Sequence, residues 1–304
     1  MDHRLKLHVL ASGSYGNAAV IEDAATGAGV LVDCGICKRD FFARVDEAGF
    51  DPANLAAVLI THDHGDHTKG LGVVLRGLAK QGIAPAVYVN SAVRLASKEI
   101  RALEGACDLR ALANGDALSL AGMSVHAFAT SHDAAASCGF RFESSDGDAL
   151  GFVTDTGIVT GEAHEGLSNV RILALESNHD VRMLQEGPYP YPVKRRIGSD
   201  VGHLSNVQAA DELDAFAVCA VGAGGCHAYL AEQQHVPSAR GVFGCGGVAR
   251  ISWCDRAGGV PGNARERGVD GFARRSRFAP VGAQAAAVRS LRAAYSPSNS
   301  SVEK

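Results

Sequence analysis

The 304-residue sequence has no uninterrupted run approaching the roughly 20 apolar residues of a membrane-spanning helix, so no segment is expected to cross a bilayer. Its start, Met1-Asp-His-Arg-Leu-Lys6, alternates polar with apolar residues and lacks the apolar stretch of a signal peptide, and a cytoplasmic protein is expected. The eight cysteines have no regular spacing, which argues against a disulfide framework and for reduced thiols. Cys34-Gly-Ile-Cys37 matches a C-x-x-C spacing but stands alone, and strand-end packing is its simpler reading. No internal repeat is present. A hydrophobic content of 46% is ample for a sizeable core, so a globular chain is expected.

Charge is unevenly spread. Residues 218–304 carry eleven Lys and Arg against five Asp and Glu, a net +6, which leaves −10 on residues 1–217. A basic tail is commonly a nucleic-acid or membrane contact. A blander origin fits better here. From Val218 onward hydrophobic periodicity is hard to find, Gly, Ala and Arg dominate, and the only tryptophan, Trp253, lacks an amphipathic context. Text of that kind results when a GC-rich gene is read out of frame.

Before that point the pattern is regular. Leu5–Ala11, Ala18–Glu22, Gly29–Asp33, Ala56–Thr61, Ala86–Asn90, Ser119–Thr130, Gly139–Glu143, Ala149–Thr154 and Ile172–Leu175 are apolar or alternating and predict strands. Helices are predicted over Lys38–Ala48, from Ser91 to about Leu103, and over Asn206–Ala217. Strands with inserted helices imply two sheets covered by helices.

The chemistry concentrates in Thr61-His-Asp-His-Gly-Asp-His67, which follows the apolar strand Ala57-Val-Leu-Ile60. Alternation puts His62 and His64 on one side of an extended chain, and a turn at Gly65 lets Asp66 and His67 reach an adjacent second ion. Three imidazoles and a carboxylate packed so closely are costly without cations, and N/O ligands without thiolate suit Zn, Mn or Fe. Further ligands are expected at other strand ends, where His132 in Ala129-Thr-Ser-His-Asp133 and Asp155 in Gly151-Phe-Val-Thr-Asp-Thr-Gly157 qualify. An aspartate so placed can bridge two cations that hold an attacking hydroxide. His126 is expected on a sheet face, and His164, in a polar turn, receives no role.

Together these segments resemble the metallo-β-lactamase-fold hydrolases, and within them the YycJ/WalJ group, regarded as nucleases. The resemblance spans Leu5 to about Phe216 through Ala11-Ser-Gly-Ser-Tyr-Gly-Asn17, Val32-Asp-Cys-Gly35, the histidine run, Ser131-His-Asp133, Val153-Thr-Asp-Thr-Gly157, Leu175-Glu-Ser-Asn-His-Asp180 and Gly202-His-Leu-Ser-Asn206. It implies that His62, His64 and His132 hold one divalent ion, that Asp66 and His67 hold another, and that Asp155 bridges them. Asp33 and Asp63 would orient the imidazoles and the hydroxide. Asp66 and His203 are the candidate catalytic residues, His203 as a phosphate contact or proton donor. His179 would stand behind the ligands; for His179 and His203 an ordinary hydrogen-bonded place in the fold remains an equal reading.

Members of the group close the site with a histidine in a motif like His-Leu-Ser-x-x-Asn-Asn-Thr, about twenty residues beyond the Gly202 motif. This chain has none. Back-translating Cys226-His-Ala-Tyr-Leu-Ala-Glu-Gln-Gln-His235 and shifting by one base allows His-Ile-Ser-Gln-Asn-Asn-Asn-Thr, so a net one-base frameshift between about Phe216 and Cys226 is expected. The lost codon would overlap Ala228 and Tyr229, leaving His227 beside it by accident. The tail 218–304 is then expected to be disordered or non-native, and ending the chain at residue 217 to change little.

The expected architecture is α/β: a four-layer αβ/βα sandwich over residues 1–217, with two mixed sheets face to face. The expected reaction is phosphodiester hydrolysis in DNA by a dinuclear site holding Zn, Mn or Fe, with nucleic acid as the partner and no membrane. Hydrolysis of a thioester or lactone on the same site is one alternative, and an inactive frameshifted remnant is the other.

Overall fold

The computed structural model describes residues 4–219, 226–232 and 247–253. The chain begins with three antiparallel strands, β1 (Leu5–Ala11), β2 (Ala18–Asp23) and β3 (Gly29–Val32), and continues through α1 (Lys38–Glu47) into β4 (Leu55–Leu59). The short α2 (Gly65–Thr68) and α3 (Leu71–Ala79) lead to β5 (Ala86–Val89), and α4 (Ser91–Ala96) with α5 (Lys98–Arg101) leads to β6 (Leu109–Ala111). These six strands form one sheet in sequential order, parallel from β3 onward.

The second sheet starts with an antiparallel meander of β7 (Ala117–Leu120), β8 (Met123–Ala129), β9 (Cys138–Ser144) and β10 (Ala149–Val153). After α6 (Gly161–Leu167), β11 (Ile172–Ser177) pairs parallel with β10. An excursion through α7 (Val181–Glu186) and α8 (Tyr191–Ile197) precedes α9 (Asn206–Cys219). Two more strands, β12 (Cys226–Glu232) and β13 (Gly247–Trp253), extend this sheet beyond β11.

Side-chain alternation builds four layers. Val30, Val32 and Leu59 face Val125, Phe140, Phe142 and Phe152 across the two sheets. Their neighbours Leu31, Val58 and Ile60 point the other way, onto Phe41 and Val45 of α1 and Leu71, Val74 and Leu78 of α3. On the second sheet Val153, Leu173 and Leu175 pack beneath Leu167 of α6 and Leu213 and Phe216 of α9. The result is the αβ/βα sandwich expected from the sequence.

Local chemistry explains the departures. The single strand predicted over Ser119–Thr130 is a hairpin, turned by Ala121 and Gly122 at φ +53° and +77°, conformations that an apolar pattern does not reveal. The helix predicted from Ser91 breaks at Ser97, whose extended backbone ends α4 and whose hydroxyl accepts the Ile100 N–H to start α5. In the tail, Cys226–Glu232 and Gly247–Trp253 are paired strands despite their weak periodicity. Against the expectation that ending the chain at 217 changes little stands the pairing of β12 along β11 from Ile172 to Ser177. The rest of the tail lies outside the described residues. No helix among the described residues is long and apolar enough to cross a membrane.

Candidate metal centre

Several strands of both sheets end at one edge of the sandwich. Asp33 follows β3, Thr61–His67 follows β4, Asp155 follows β10, and Glu176 lies at the end of β11. Asp33 and Asp155 both adopt left-handed backbone, φ +57° and +51°. Such a conformation costs on the order of 1–3 kcal/mol, least for a short polar side chain, and it turns each carboxylate sharply off its strand. The histidine run is held down by backbone. Asn17 N–H donates to the Asp66 carbonyl at 2.8 Å and Cys34 N–H to that of His67 at 2.8 Å. A Cβ on Gly35 would sit 1.5 Å from the Asp66 carbonyl oxygen, so only glycine permits this approach.

Three imidazoles are anchored through Nδ1, which leaves Nε2 facing inward. His67 Nδ1 donates to Asp33 Oδ2 at 2.7 Å, His132 Nδ1 to the Gly202 carbonyl at 2.9 Å, and His62 Nδ1 to the Thr61 hydroxyl at 2.9 Å, itself donating to Asp33 at 2.8 Å. The inward nitrogens converge. His62 Nε2 lies 3.3 Å and His67 Nε2 2.6 Å from Asp155 Oδ2, and His132 Nε2 lies 3.1 Å from His64 Nδ1. His62 Nε2 and Asp155 Oδ1 are buried with no hydrogen-bond partner. A buried imidazole nitrogen and a carboxylate oxygen without partners are costly by themselves, and a divalent cation would satisfy both. Three overlapping groups are close enough to hold a cation: His62, His64 and His132; His62, His67 and Asp155; and Asp155, Glu176 and His203.

Burial and mutual repulsion set the electrostatics. Burial, reinforced by the neighbouring His67, holds His62 well below its ordinary pKa, and burial also lowers His132. Burial opposes the charged forms of His67 and Asp155 as well, yet their mutual attraction outweighs it, with His67 well above and Asp155 well below the ordinary values. Burial raises Glu176 to about 7. It acts to lower His203, but Glu176, whose Oε1 accepts His203 Nδ1–H at 2.7 Å, and Asp155 together raise it to about 10.

The other predicted residues stand as follows. Asp66 is half-buried, 3.8 Å from His67 Nε2, and accepts Asn17 Nδ2–H at 3.4 Å. Asp63 contacts no imidazole and instead accepts the Ala135 N–H at 2.9 Å, tying the run to the loop that carries His132. His179 has a buried Nδ1 without a partner, and burial lowers its pKa to about 4. His126 is exposed on β8 and contacts Ser124, and His164 pairs with Glu212 at 3.0 Å on the outer helices. His227 pairs with Ile172 at the start of β11, whereas Ser177 at the metal edge pairs with Glu232, so His227 lies five residues from the level a ligand must occupy. Cys34 is buried and Cys37 is exposed; both are free thiols.

Two contributors were not legible in the sequence. Glu176 sits in Leu175-Glu-Ser-Asn-His-Asp180, and the signal that could have found it is a carboxylate ending the wholly apolar Ile172-Leu-Ala-Leu175. Arg196 pairs with Asp133, the neighbour of His132, through two guanidinium nitrogens, one at 3.0 Å.

Residues 29–221 match the beta-lactamase superfamily domain. The exodeoxyribonuclease YycJ of Bacillus anthracis is 35% identical over 206 residues, 68% of this chain and 75% of that protein. The exodeoxyribonuclease WalJ of Streptococcus pneumoniae serotype 2 is 34% identical over 211 residues, with the same coverage. The solved short form of human tRNase Z superposes with a TM-score of 0.54 at 18% identity, covering 69% of this chain and 88% of that one, which speaks to the fold. With the sandwich, the edge site and these matches in agreement, the chain belongs to the metallo-β-lactamase superfamily and is related to the YycJ/WalJ exodeoxyribonucleases.

Proposed function

We propose that this protein is a dinuclear metal-dependent phosphodiesterase that shortens DNA from a strand end. His62, His64 and His132 would hold one cation, Asp66 and His67 the other, and Asp155 would lie between them. When bound, the pair would supply Lewis acidity and lower the pKa of water at the cleft. The observation that carries the reading is the inward Nε2 of His62 facing Asp155, both buried and short of partners. Asp33 and the Gly202 carbonyl fix the ligand tautomers. His203, oriented by Glu176 through Nδ1, would hold a proton on Nε2 for a leaving oxygen. The names of the relatives support DNA as substrate.

The test is metal quantification on the full chain together with degradation of end-labelled DNA. Two ions per chain and stepwise shortening, both lost in Asp155→Asn, are expected. Turnover of a thioester without DNA degradation would transfer the site to the alternative chemistry, and one ion or none with no activity would mark an inactive remnant.

We infer in addition that residues 218–304 are read out of frame. The superfamily match ends at residue 221, between Phe216 and Cys226, and back-translation of residues 226–235 allows a histidine-bearing motif one base away. Resequencing the gene decides this: a correct frame with no such motif one base away removes the idea. Free thiols at Cys34, Cys37, Cys107 and Cys138 fit a reducing, cytoplasmic setting.

A further inference from the structure

The excursion between β11 and α9 differs from the rest of the surface. Nine large hydrophobic side chains are exposed among the described residues, and five of them, Val181, Met183, Tyr191, Val193 and Val201, lie on this one segment. They are therefore concentrated on one segment instead of scattered over the surface. Within it, Gly187–Ser199 contains Lys194, Arg195 and Arg196 and no acidic residue, whereas residues 1–217 as a whole are at −10. Tyr191 is 73% exposed, and Pro188-Tyr-Pro-Tyr-Pro192 places prolines on both sides of each tyrosine, so the rings are held on stiff backbone.

The segment is fixed against the metal centre. Arg196 reaches Asp133, Gly202 O accepts from His132, and the Ser131 hydroxyl donates to the Asp200 carbonyl at 2.7 Å. Tyr15, 62% exposed, stands in the loop whose Asn17 contacts Asp66 and His67. Burial raises the Tyr189 pKa, and Tyr15 is near enough to raise it further. Lys194 donates to the Gln185 carbonyl and Arg196 is paired, while the Arg195 guanidinium has no partner among the described residues.

We propose that Tyr191 and Arg195, with Tyr189 and Tyr15 on the lip, form a subsite for single-stranded DNA leading into the metal centre. Tyrosine rings would stack on bases, and Arg195 would hold a backbone phosphate. Exposed rings beside an unpaired guanidinium, on a run from Gly187 to Ser199 that carries no acid, match a polyanion that carries flat π-faces. A second protein copy would not require the concentration of positive charge. The subsite rests on the phosphodiesterase reading, since it assigns the substrate of that same site.

The test is fluorescence anisotropy of the metal-loaded full chain with a short fluorescein-labelled oligothymidine carrying cleavage-resistant phosphorothioate links. Tyr191→Ala is expected to weaken binding by roughly tenfold and Tyr191→Phe to restore it, because stacking needs the ring and not the hydroxyl. Arg195→Ala is expected to weaken binding and lower the salt slope by about 1, while Arg39→Ala on α1 changes neither. Wild-type affinity in both Tyr191→Ala and Arg195→Ala, or no binding by the wild type, overturns the subsite. So does a wild-type dimer that Tyr191→Ala dissociates without changing DNA affinity, which would give the face to a second copy. Hydrolysis of ordinary DNA is scored separately on the wild type. Cleavage with patch-independent binding refutes only the subsite, and patch-dependent binding without cleavage refutes only the phosphodiesterase.

Discussion

Replacing Asp33 with asparagine tests how the site sets its ligand tautomers. The carboxylate accepts three hydrogen bonds: Thr61 N–H on Oδ1 at 2.9 Å, and the Thr61 hydroxyl and His67 Nδ1–H on Oδ2 at 2.8 and 2.7 Å. Asparagine can keep the first. Its amide nitrogen then points two donors at two donors, and the buried pocket has no water-exposed escape, with Asp33 1% exposed. The lowest-energy solution is for the imidazole to exchange tautomers, so that Nδ1 accepts from the amide and Nε2 carries the hydrogen. That nitrogen faces Asp155 at 2.6 Å, where a cation would need a lone pair. Loss of a charge-assisted bond of this kind costs about 1.5–3 kcal/mol, and disturbing the partner of a ligating imidazole typically lowers metal affinity 10–100-fold. One of the two ions should therefore weaken by that factor in competition with a fluorescent chelator, while the other is retained. Wild-type affinity for both ions in Asp33→Asn would refute the tautomer argument.

Gly35→Ala should leave both sheets folded but lose metal stoichiometry, measured by mass spectrometry, because its Cβ would collide with the Asp66 carbonyl at 1.5 Å. Ending the chain at 217 should lower the melting temperature and promote aggregation in light scattering, since the β11 edge now paired by β12 would be bare. Asp148 accepts from Arg171 Nε and Nη2 at 2.6 and 2.7 Å and from Leu5 N–H at 2.9 Å. Burial opposes ionisation there, but Arg171 wins and the pKa is lowered. A depressed folded pKa contributes stability above the unfolded value, about 3.9, that is lost as pH falls below it. In acid titration followed by circular dichroism, Asp148→Asn should be less stable at neutral pH and should lose part of the wild-type decline below about pH 4.

How much the sequence disclosed depended on the range of each interaction. Alternation in Gly29–Val32 and Leu55–Leu59 is local, and it identified the strands that carry Asp33 and the histidine run. Spacing within Thr61–His67 is local too, and His132 and Asp155 could be added because each follows an apolar strand. Arg196 and Asp133 are 63 residues apart and share no pattern, so their pairing appears only once the chain is folded. Glu176 gains its place from burial beneath His203, which depends on the excursion through α7 and α8, helices too short for periodicity to announce. The turn at Ala121–Gly122 was hidden by apolar residues on both sides, and β12 and β13 by weak alternation.

The distribution of the donors over both sheets has a thermodynamic consequence. Asp33, His62, His64 and His67 descend from the first sheet, while His132, Asp155 and Glu176 belong to the second. A cation shared between them would be a clasp across the sandwich, so that separating the sheets and releasing the ion would become a single linked equilibrium. Free metal at 100 times its dissociation constant would then add about 2.7 kcal/mol to the folded state, on the scale of a core side chain. The edge at which this protein is proposed to act is thus also a seam where its two halves are fastened.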